Sequence, residues 1–371
     1  MLQTIADGGN PGIMEPPWAD RRDAYIHLIK EIQKEWITYD IHLHPVEIIY
    51  NYFGYSKDLK VEGVYRTGNA KYVKPSHDQP EDLDTDDRKT QVVRERKGIF
   101  RLFVQKAYSH TGPRVFRDFF DLNGIDKGLL LPVAPKDGPI EGQMKAVAGM
   151  FGKDKQFRLA GSVPNTVKNE DVREFISSEK KHYNIAAVKI HPDITGIDLG
   201  SREGKGRLEC ILDGASNIGI PAIIHVGRNN LPGSENGRFS EVQNLKDINL
   251  IAKSRVVLAH GGIYGYSLSE IGPEMLNPLN NILNKWPNVL IDISALDWRA
   301  IKVLSRSIGA DRILFGSDGL YYSQGLMLVN LVRALLDSGS KVEEALVKIL
   351  SVNAATQLFG EDPKKRRESC A

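Results

Sequence analysis

Asp40-Ile41-His42-Leu43-His44-Pro45 follows the run Trp36-Ile37-Thr38-Tyr39 and ends in a proline. It reads as a strand. Side chains two apart on a strand share a face, so His42 and His44 can grip one ion. One such pair is a weak signal; the pattern that follows it decides the fold. Seven more β-rich runs recur down the chain: 127–133, 157–163, 186–192, 221–227, 255–262, 288–294 and 312–319. Helical patterns fill the gaps at 140–151, 169–182, 207–218, 241–253, 276–285, 297–308 and 324–338. Near-continuous apolar strands alternating with helices describe a parallel sheet covered on both faces. Eight such units predict a closed (β/α)8 TIM barrel in preference to an open doubly wound sheet. No Gly-x-Gly-x-x-Gly turn follows an early strand, which counts against a dinucleotide fold.

Outside this rhythm, residues 1–35 read as a Gly/Pro-rich arm and a helix from Arg21 to Glu35, with Ala24, Tyr25, Leu28, Ile29 and Ile32 at helical spacing. The barrel spans 36–361. Within it, 46–56 is apolar and aromatic, and 57–97 is a polar insertion with the acidic run 81–87, read as a solvated loop or a lid. Residues 114–120 read as a helix closed by Asn123-Gly124. Residues 362–371 form a basic tail, expected to be disordered.

The totals set the frame. The chain has 371 residues, 41% hydrophobic and 26% charged, with a net charge of +2, an ordinary globular composition with no bias toward a polyanionic partner. Its two cysteines, Cys210 and Cys370, are no disulfide framework, so a reducing compartment is expected. No run is apolar enough to span a membrane and no secretory signal opens the chain, so the expectation is a cytoplasmic enzyme with a small-molecule substrate, without nucleic-acid or membrane partners.

Barrel active sites are built at the C-terminal ends of the strands. Those ends carry His42 and His44, Lys189 and His191, His225, His260 and Asp318, so five of the nine histidines collect there. His27, His77, His110 and His182 fall in helices or loops and read as ordinary residues. Zinc and similar ions take imidazole nitrogen and carboxylate oxygen and keep a position open for water in catalytic sites. His42, His44, His225 and Asp318 supply that set from the first, fifth and eighth strands. Asp318 also reads as the general base and His260, before Gly261-Gly262, as the group that polarises substrate or orients water. Three readings of Lys189 compete: a cation for an anionic substrate group, a carbamylated bridge between two metals, and an ion-pair partner; the first is preferred. His191 shares the Lys189 face and reads as substrate-binding. Arg228 is the first choice for a substrate carboxylate, with Tyr264, and then Asn229, Tyr266, Trp298, Tyr321 and Tyr322, at the same mouth.

Taken together, Asp40-Ile41-His42-Leu43-His44, Val188-Lys189-Ile190-His191-Pro192, Ile223-Ile224-His225-Val226-Gly227, Leu258-Ala259-His260-Gly261-Gly262, Leu314-Phe315-Gly316-Ser317-Asp318 and the closing Asn353-Ala354-Ala355 with Leu358-Phe359-Gly360 resemble the amidohydrolase superfamily, in its amidohydrolase-2 branch, over about residues 36–361. The resemblance implies one divalent ion, zinc first and manganese, iron or cobalt as alternatives, held by His42, His44, His225 and Asp318, with His260 assisting. A second metal bridged by carbamylated Lys189 stays open, as does a homo-oligomer. It implies hydrolysis of a C–N or C–O bond in an anionic or ring-bearing substrate, with non-oxidative decarboxylation of an aromatic or unsaturated acid as the alternative. The His-x-His opening leans toward hydrolysis, and a barrel that only binds is the third reading.

Overall fold

A computed structural model describes residues 18–44, 113–134, 136, 140–229, 237–250, 254–319, 322–339 and 341–365. The arm before residue 18, the stretch 46–56, the insertion 57–97, His77, His110 and Tyr321 lie outside the described residues. Among those described, no helix is long and apolar enough to cross a membrane.

Eight parallel strands form one sheet in chain order. They are β1 (Tyr39–Leu43), β2 (Lys127–Leu130), β3 (Phe157–Ser162), β4 (Ala187–Ile190), β5 (Ala222–Ile224), β6 (Val256–Leu258), β7 (Val289–Asp292) and β8 (Ile313–Leu314). The helices are α1 (Trp18–Glu35), α2 (Pro113–Asn123), α3 (Glu141–Phe151), α4 (Val172–Tyr183), the single turn α5 (Pro192–Thr195), α6 (Arg202–Asn217), α7 (Pro273–Lys285), α8 (Trp298–Ile308), α9 (Gln324–Ser338) and α10 (Val342–Val347), which continues as a π-helix over Lys348–Phe359. The segment after β8 returns to β1: Ile41 N donates to Phe315 O (3.0 Å), Gly319 N to His42 O (3.2 Å) and His44 N to Gly319 O (3.0 Å). The sheet is thereby drawn into the barrel that the eight alternating units predicted.

Two apolar layers follow from strand alternation. The interior takes one side chain or more from every strand: Tyr39 and Ile41, Leu129, Ala160, Ala187, Ile223, Val257, Leu290 and Leu314. Ala354, Ala355 and Leu358, from the π-helix that continues α10, pack against them. The opposite strand faces meet the helices. There Phe116 and Phe120 of α2, Phe151 of α3 and Phe157 of β3 pack with ring centroids 5.1–6.0 Å apart. Below the interior layer Glu361 closes the barrel floor, accepting from Tyr39 Oη (2.7 Å), Lys127 Nζ (3.1 Å) and the Arg158 guanidinium.

Four expectations need correction. The helix over 241–253 is a short 3-10 turn, Val242–Leu245, followed by irregular chain to residue 250. Asn244 Nδ2 turns back to the carbonyls of Arg238 and Phe239 (3.2 Å each), the local side-chain competition that unseats a helix. Conversely, α6 begins at Arg202 instead of 207, because Ser201 Oγ accepts from Gly204 N (3.0 Å) and caps a turn whose glycines hid it. The basic tail is not loose at its start: Ile37 N donates to Pro363 O (2.8 Å) and Lys365 N to Glu35 O (2.9 Å), while residues from 366 lie outside the described set. Finally, β1 is not a regular strand at its histidines. Its register shifts between Asp40 and Leu43, and His44 stands just past its end, so pleat alternation does not present the pair.

Gly316 sits where β8 meets β1. A Cβ there would lie 2.6 Å from His42 Cβ and 3.3 Å from Ser294 Cβ. Gly316→Ala is expected to cost about 1–3 kcal/mol of stability through overpacking. Gly142→Ala, on the exposed face of α3 with nothing within 4 Å, is expected to gain up to about 1 kcal/mol from helix propensity. Urea denaturation of the two variants checks both signs; a neutral Gly316→Ala would contradict the tight closure.

Candidate metal centre

Two residues beyond the interior layer, four of the strand directions deliver a residue toward the barrel mouth. Lys189 follows Ala187, His225 follows Ile223, Asp292 follows Leu290 and Gly316 follows Leu314, each by two. Pleat alternation therefore stacks this polar layer on the apolar one, and all of its side chains are buried. The glycine leaves room for His42.

His42, His44 and Asp318 converge, with one potential ligand atom from each within 4.8 Å of the others. Asp318 Oδ1 lies 2.9 Å from His44 Nε2 and 3.5 Å from His42 Nε2. The opposite ring nitrogens identify the protons. His44 Nδ1 is 3.1 Å from the Leu131 carbonyl, and His42 Nδ1 is 2.9 Å from Asp292 Oδ2. Both neighbours only accept, so each Nδ1 carries a hydrogen and each ring turns its Nε2 inward. Burial, with Lys189 nearby, pushes the His42 imidazolium down to about 3, so that ring is neutral. Burial raises the Asp318 carboxyl, but His44 and His42 outweigh it and hold the group well below the ordinary carboxylate range. Two ring nitrogens and an anionic oxygen thus crowd together in a buried cluster. Such a cluster is balanced by a cation, and imidazole nitrogen with carboxylate oxygen is a donor set suited to zinc or manganese.

His225 is not in that group. It falls with His191 and Asp193, its ring stacked on His191 at 3.9 Å between centroids. Its Nδ1 meets His260 Nε2 at 3.1 Å, and His260 Nδ1 meets the Ser294 carbonyl at 3.0 Å. The carbonyl fixes the hydrogen on His260 Nδ1. His260 Nε2 must then accept, His225 Nδ1 must donate, and His225 Nε2 is left bare, buried and without a hydrogen bond. His191 has the other tautomer. Its Nδ1 accepts from Ile194 N (3.4 Å) at the cap of α5, so its Nε2 bears the hydrogen and is a donor. Burial holds the imidazolium forms of His191, His225 and His260 below their ordinary range. Lys189 Nζ sits 3.1 Å from the bare His42 Nε2, and burial pushes its ammonium down to about 8 against the pull of Asp292 and Asp318.

Arg228, expected to meet substrate, is already engaged: its guanidinium reaches Glu241 Oε1 (3.1 Å) and Glu270 Oε1 (2.6 Å) and lies 4.0 Å over the Tyr266 ring. Charge balance on the loop after β5 accounts for it without a ligand. Tyr264 does stand in the centre, 4.6 Å from His260 and 5.3 Å from His225 between rings. Asn229 lies in the loop base after β5, and Trp298 packs beside Arg333 (4.0 Å) at the start of α8. His27 and His182 occupy exposed helix positions, as expected. Sequence reasoning passed over Asp292, Ser294 and Asp40. Asp292 had a signal, because it lies in the seventh β run two residues after Leu290, an interior position.

Residues 39–360 match the sequence model of the amidohydrolase family Amidohydro_2. None of the curated proteins matches the chain. Among solved structures, 5-carboxyvanillate decarboxylase from Novosphingobium aromaticivorans, complexed with manganese and 4-hydroxy-3-methoxy-5-nitrobenzoic acid, is similar at 17% identity and a TM-score of 0.53, over 87% of this chain and 95% of that one. The 2,6-dihydroxybenzoate decarboxylase from Rhizobium is similar at 16% identity and a TM-score of 0.51, over 72% and 94%. At these identities the likeness is one of fold.

The Lys189 shift has a definite sign. With its amine pushed from the ordinary 10.5 to about 8, the unfolded chain holds more protons than the folded one between those values, and this group makes stability rise with pH there. In chelator-treated protein, Lys189→Met is therefore expected to be relatively stabilising below about pH 8, with the advantage shrinking toward pH 10.5. Urea denaturation at both ends of that window checks it; a gap of constant size would mean that the buried amine keeps its ordinary affinity for the proton.

Proposed function

The chain belongs to the amidohydrolase family, and from that premise we propose that it is a metal-dependent lyase that releases carbon dioxide from a small carboxylic acid. The observation that carries the reading is the division of one buried site into two halves. His42, His44, His225 and Asp318 offer lone pairs and negative charge, whereas Lys189 Nζ and His191 Nε2 offer N–H donors. A carboxylate with a neighbouring oxygen suits both halves at once.

His42, His44 and Asp318 would hold the ion, with His225 as the fourth ligand through its bare Nε2. A divalent cation there supplies a Lewis acid that anchors and polarises substrate oxygens and lowers the pKa of water. The chain's own groups do the rest. Lys189 and His191 fix the anionic end of the substrate by charge-assisted hydrogen bonds. Burial of the whole site strips water from the reacting carboxylate, which favours departure as neutral carbon dioxide. Asp318, ionised beside His42, His44 and His260, is placed to take a proton from a substrate hydroxyl or from water and pass it to the carbon as the bond to the departing carbon dioxide breaks. Two of the solved structures that share the barrel are decarboxylases, although their likeness speaks for the fold.

Hydrolysis is the second reading. The His42-Leu43-His44 opening favours it, and Asp318 would then serve as base toward water. The two readings part on one measurement: carbon dioxide release from a panel of hydroxybenzoates and unsaturated acids, against hydrolysis of a panel of amides and lactones. Release of carbon dioxide is expected, with Asp318→Asn lowering kcat at least about 100-fold. Turnover of the amides or lactones alone would move the assignment to a hydrolase. Elemental mass spectrometry is expected to find one divalent ion per chain, lost in His44→Ala and Asp318→Asn. Two ions per chain would instead point to a carbamylated Lys189.

A further inference from the structure

Asp292 lies within ligand distance of His42 and His260, yet its own oxygens are spoken for. Oδ1 accepts from the backbone N–H of His260 (3.0 Å), from the backbone N–H of Ser294 (3.0 Å) and from Ser294 Oγ. Oδ2 faces His42 Nδ1 at 2.9 Å. A carboxylate offers roughly four lone-pair sites, and four donors point at this one. Burial raises its carboxyl, but His42, His260 and Ser294 hold it well below the ordinary range, so it stands as an anion. Since the single proton of Ser294 Oγ goes to Asp292, the hydroxyl can only accept from His42 Nδ1 (3.0 Å) and His260 Nδ1 (2.8 Å). One carboxylate thus reaches two histidines on different strands, one directly and one through a hydroxyl.

We propose that Asp292 is a positioning residue of the metal centre, fixing the hydrogen of His42 on Nδ1, so that a lone pair and not an N–H group of that ring faces the cation. The proposal rests on the metal-site reading above for its purpose and on the hydrogen-bond geometry for its content. The geometry also says what a subtle change would do. In Asp292→Asn the two backbone N–H groups and Ser294 still require an acceptor at Oδ1. The new amide nitrogen must then lie at the Oδ2 position, donating toward His42. His42 answers by accepting at Nδ1 and moving its hydrogen to Nε2, the atom that should ligate. Exchange of an orienting aspartate for asparagine has this effect in serine-protease triads. His44, pinned by the Leu131 carbonyl instead, is an internal control.

The test is long-range 1H–15N correlation of the histidine rings in chelator-treated, full-length protein, together with manganese titration. Wild type is expected to show hydrogen on Nδ1 of both His42 and His44. Asp292→Asn is expected to move it to Nε2 in His42 alone and to weaken manganese binding by about 10–100-fold. An Asp292→Asn protein that keeps His42 in the Nδ1–H form and binds manganese like wild type overturns the proposal. Should the variant not fold, the wild-type spectrum decides, because a bare Nδ1 on His42 overturns it equally. Wild type with the expected ring pattern but no affinity for divalent ions upholds the role of Asp292 and removes the metal-dependent function instead.

Discussion

Closure of the barrel depends on one buried carboxylate. Asp40 accepts from Ser317 Oγ (2.6 Å), Gln324 Nε2 (2.8 Å), Ser317 N (3.0 Å) and His42 N (3.2 Å), tying the end of β8 to β1. Burial pushes its carboxyl up to about 6 while these donors pull the other way, so the group is costly in isolation and retained by its partners. The tie is local to the chemistry. Ser317 precedes Asp318, which takes a positive φ of 62°, unusual for a residue with a side chain. A strained backbone persists where its surroundings over-determine it. Here the surroundings are Asp40 on one side and the Gly319 bonds to His42 and His44 on the other.

The same barrel carries two opposite kinds of layer. The lower interior is aliphatic and needs only volume. The upper one gathers neutral imidazoles, two ionised carboxylates and a lysine, each buried and each unfavourable alone. Acceptors stand behind three of its histidines, carbonyls behind His44 and His260 and a carboxylate behind His42. The order of tautomers is therefore part of the architecture, set by backbone carbonyls of Leu131 and Ser294 that the fold positions regardless of ligand.

Much of this was legible in the sequence. Apolar runs that end in His, Lys or Asp gave the strand count, the closed barrel and the residues of its mouth, because strand burial and strand-end chemistry are both written locally. What was not legible is pairing across strands. His42 and His44 read as one face of a regular strand, whereas a register shift delivers them. His225 read as a partner of His42, and nothing local announced that its Nδ1 meets His260. Arg228 read as free for a substrate because Glu241 and Glu270 lie distant in sequence. Asp292 went uncounted since a lone aspartate within an apolar β run carries no mark of its partners on other strands. The missing helix at 241–253 has the same root, for its apolar spacing is real and Asn244 overrules it.

The floor of the barrel has a consequence for how the chain is made. Tyr39 and Glu361, which meet there, are 322 residues apart, and Ile37 waits for the carbonyl of Pro363. As the chain leaves the ribosome, β1 has neither its β8 neighbour nor its floor until residues 313–363 have followed. Contacts of such long range slow folding, since loop closure precedes any gain. During that interval the edge of β1 and the aromatic ring of Tyr39 are open to wrong partners. The histidines at its other end share the wait, so the capacity to hold an ion is acquired last, as one of the final acts of folding.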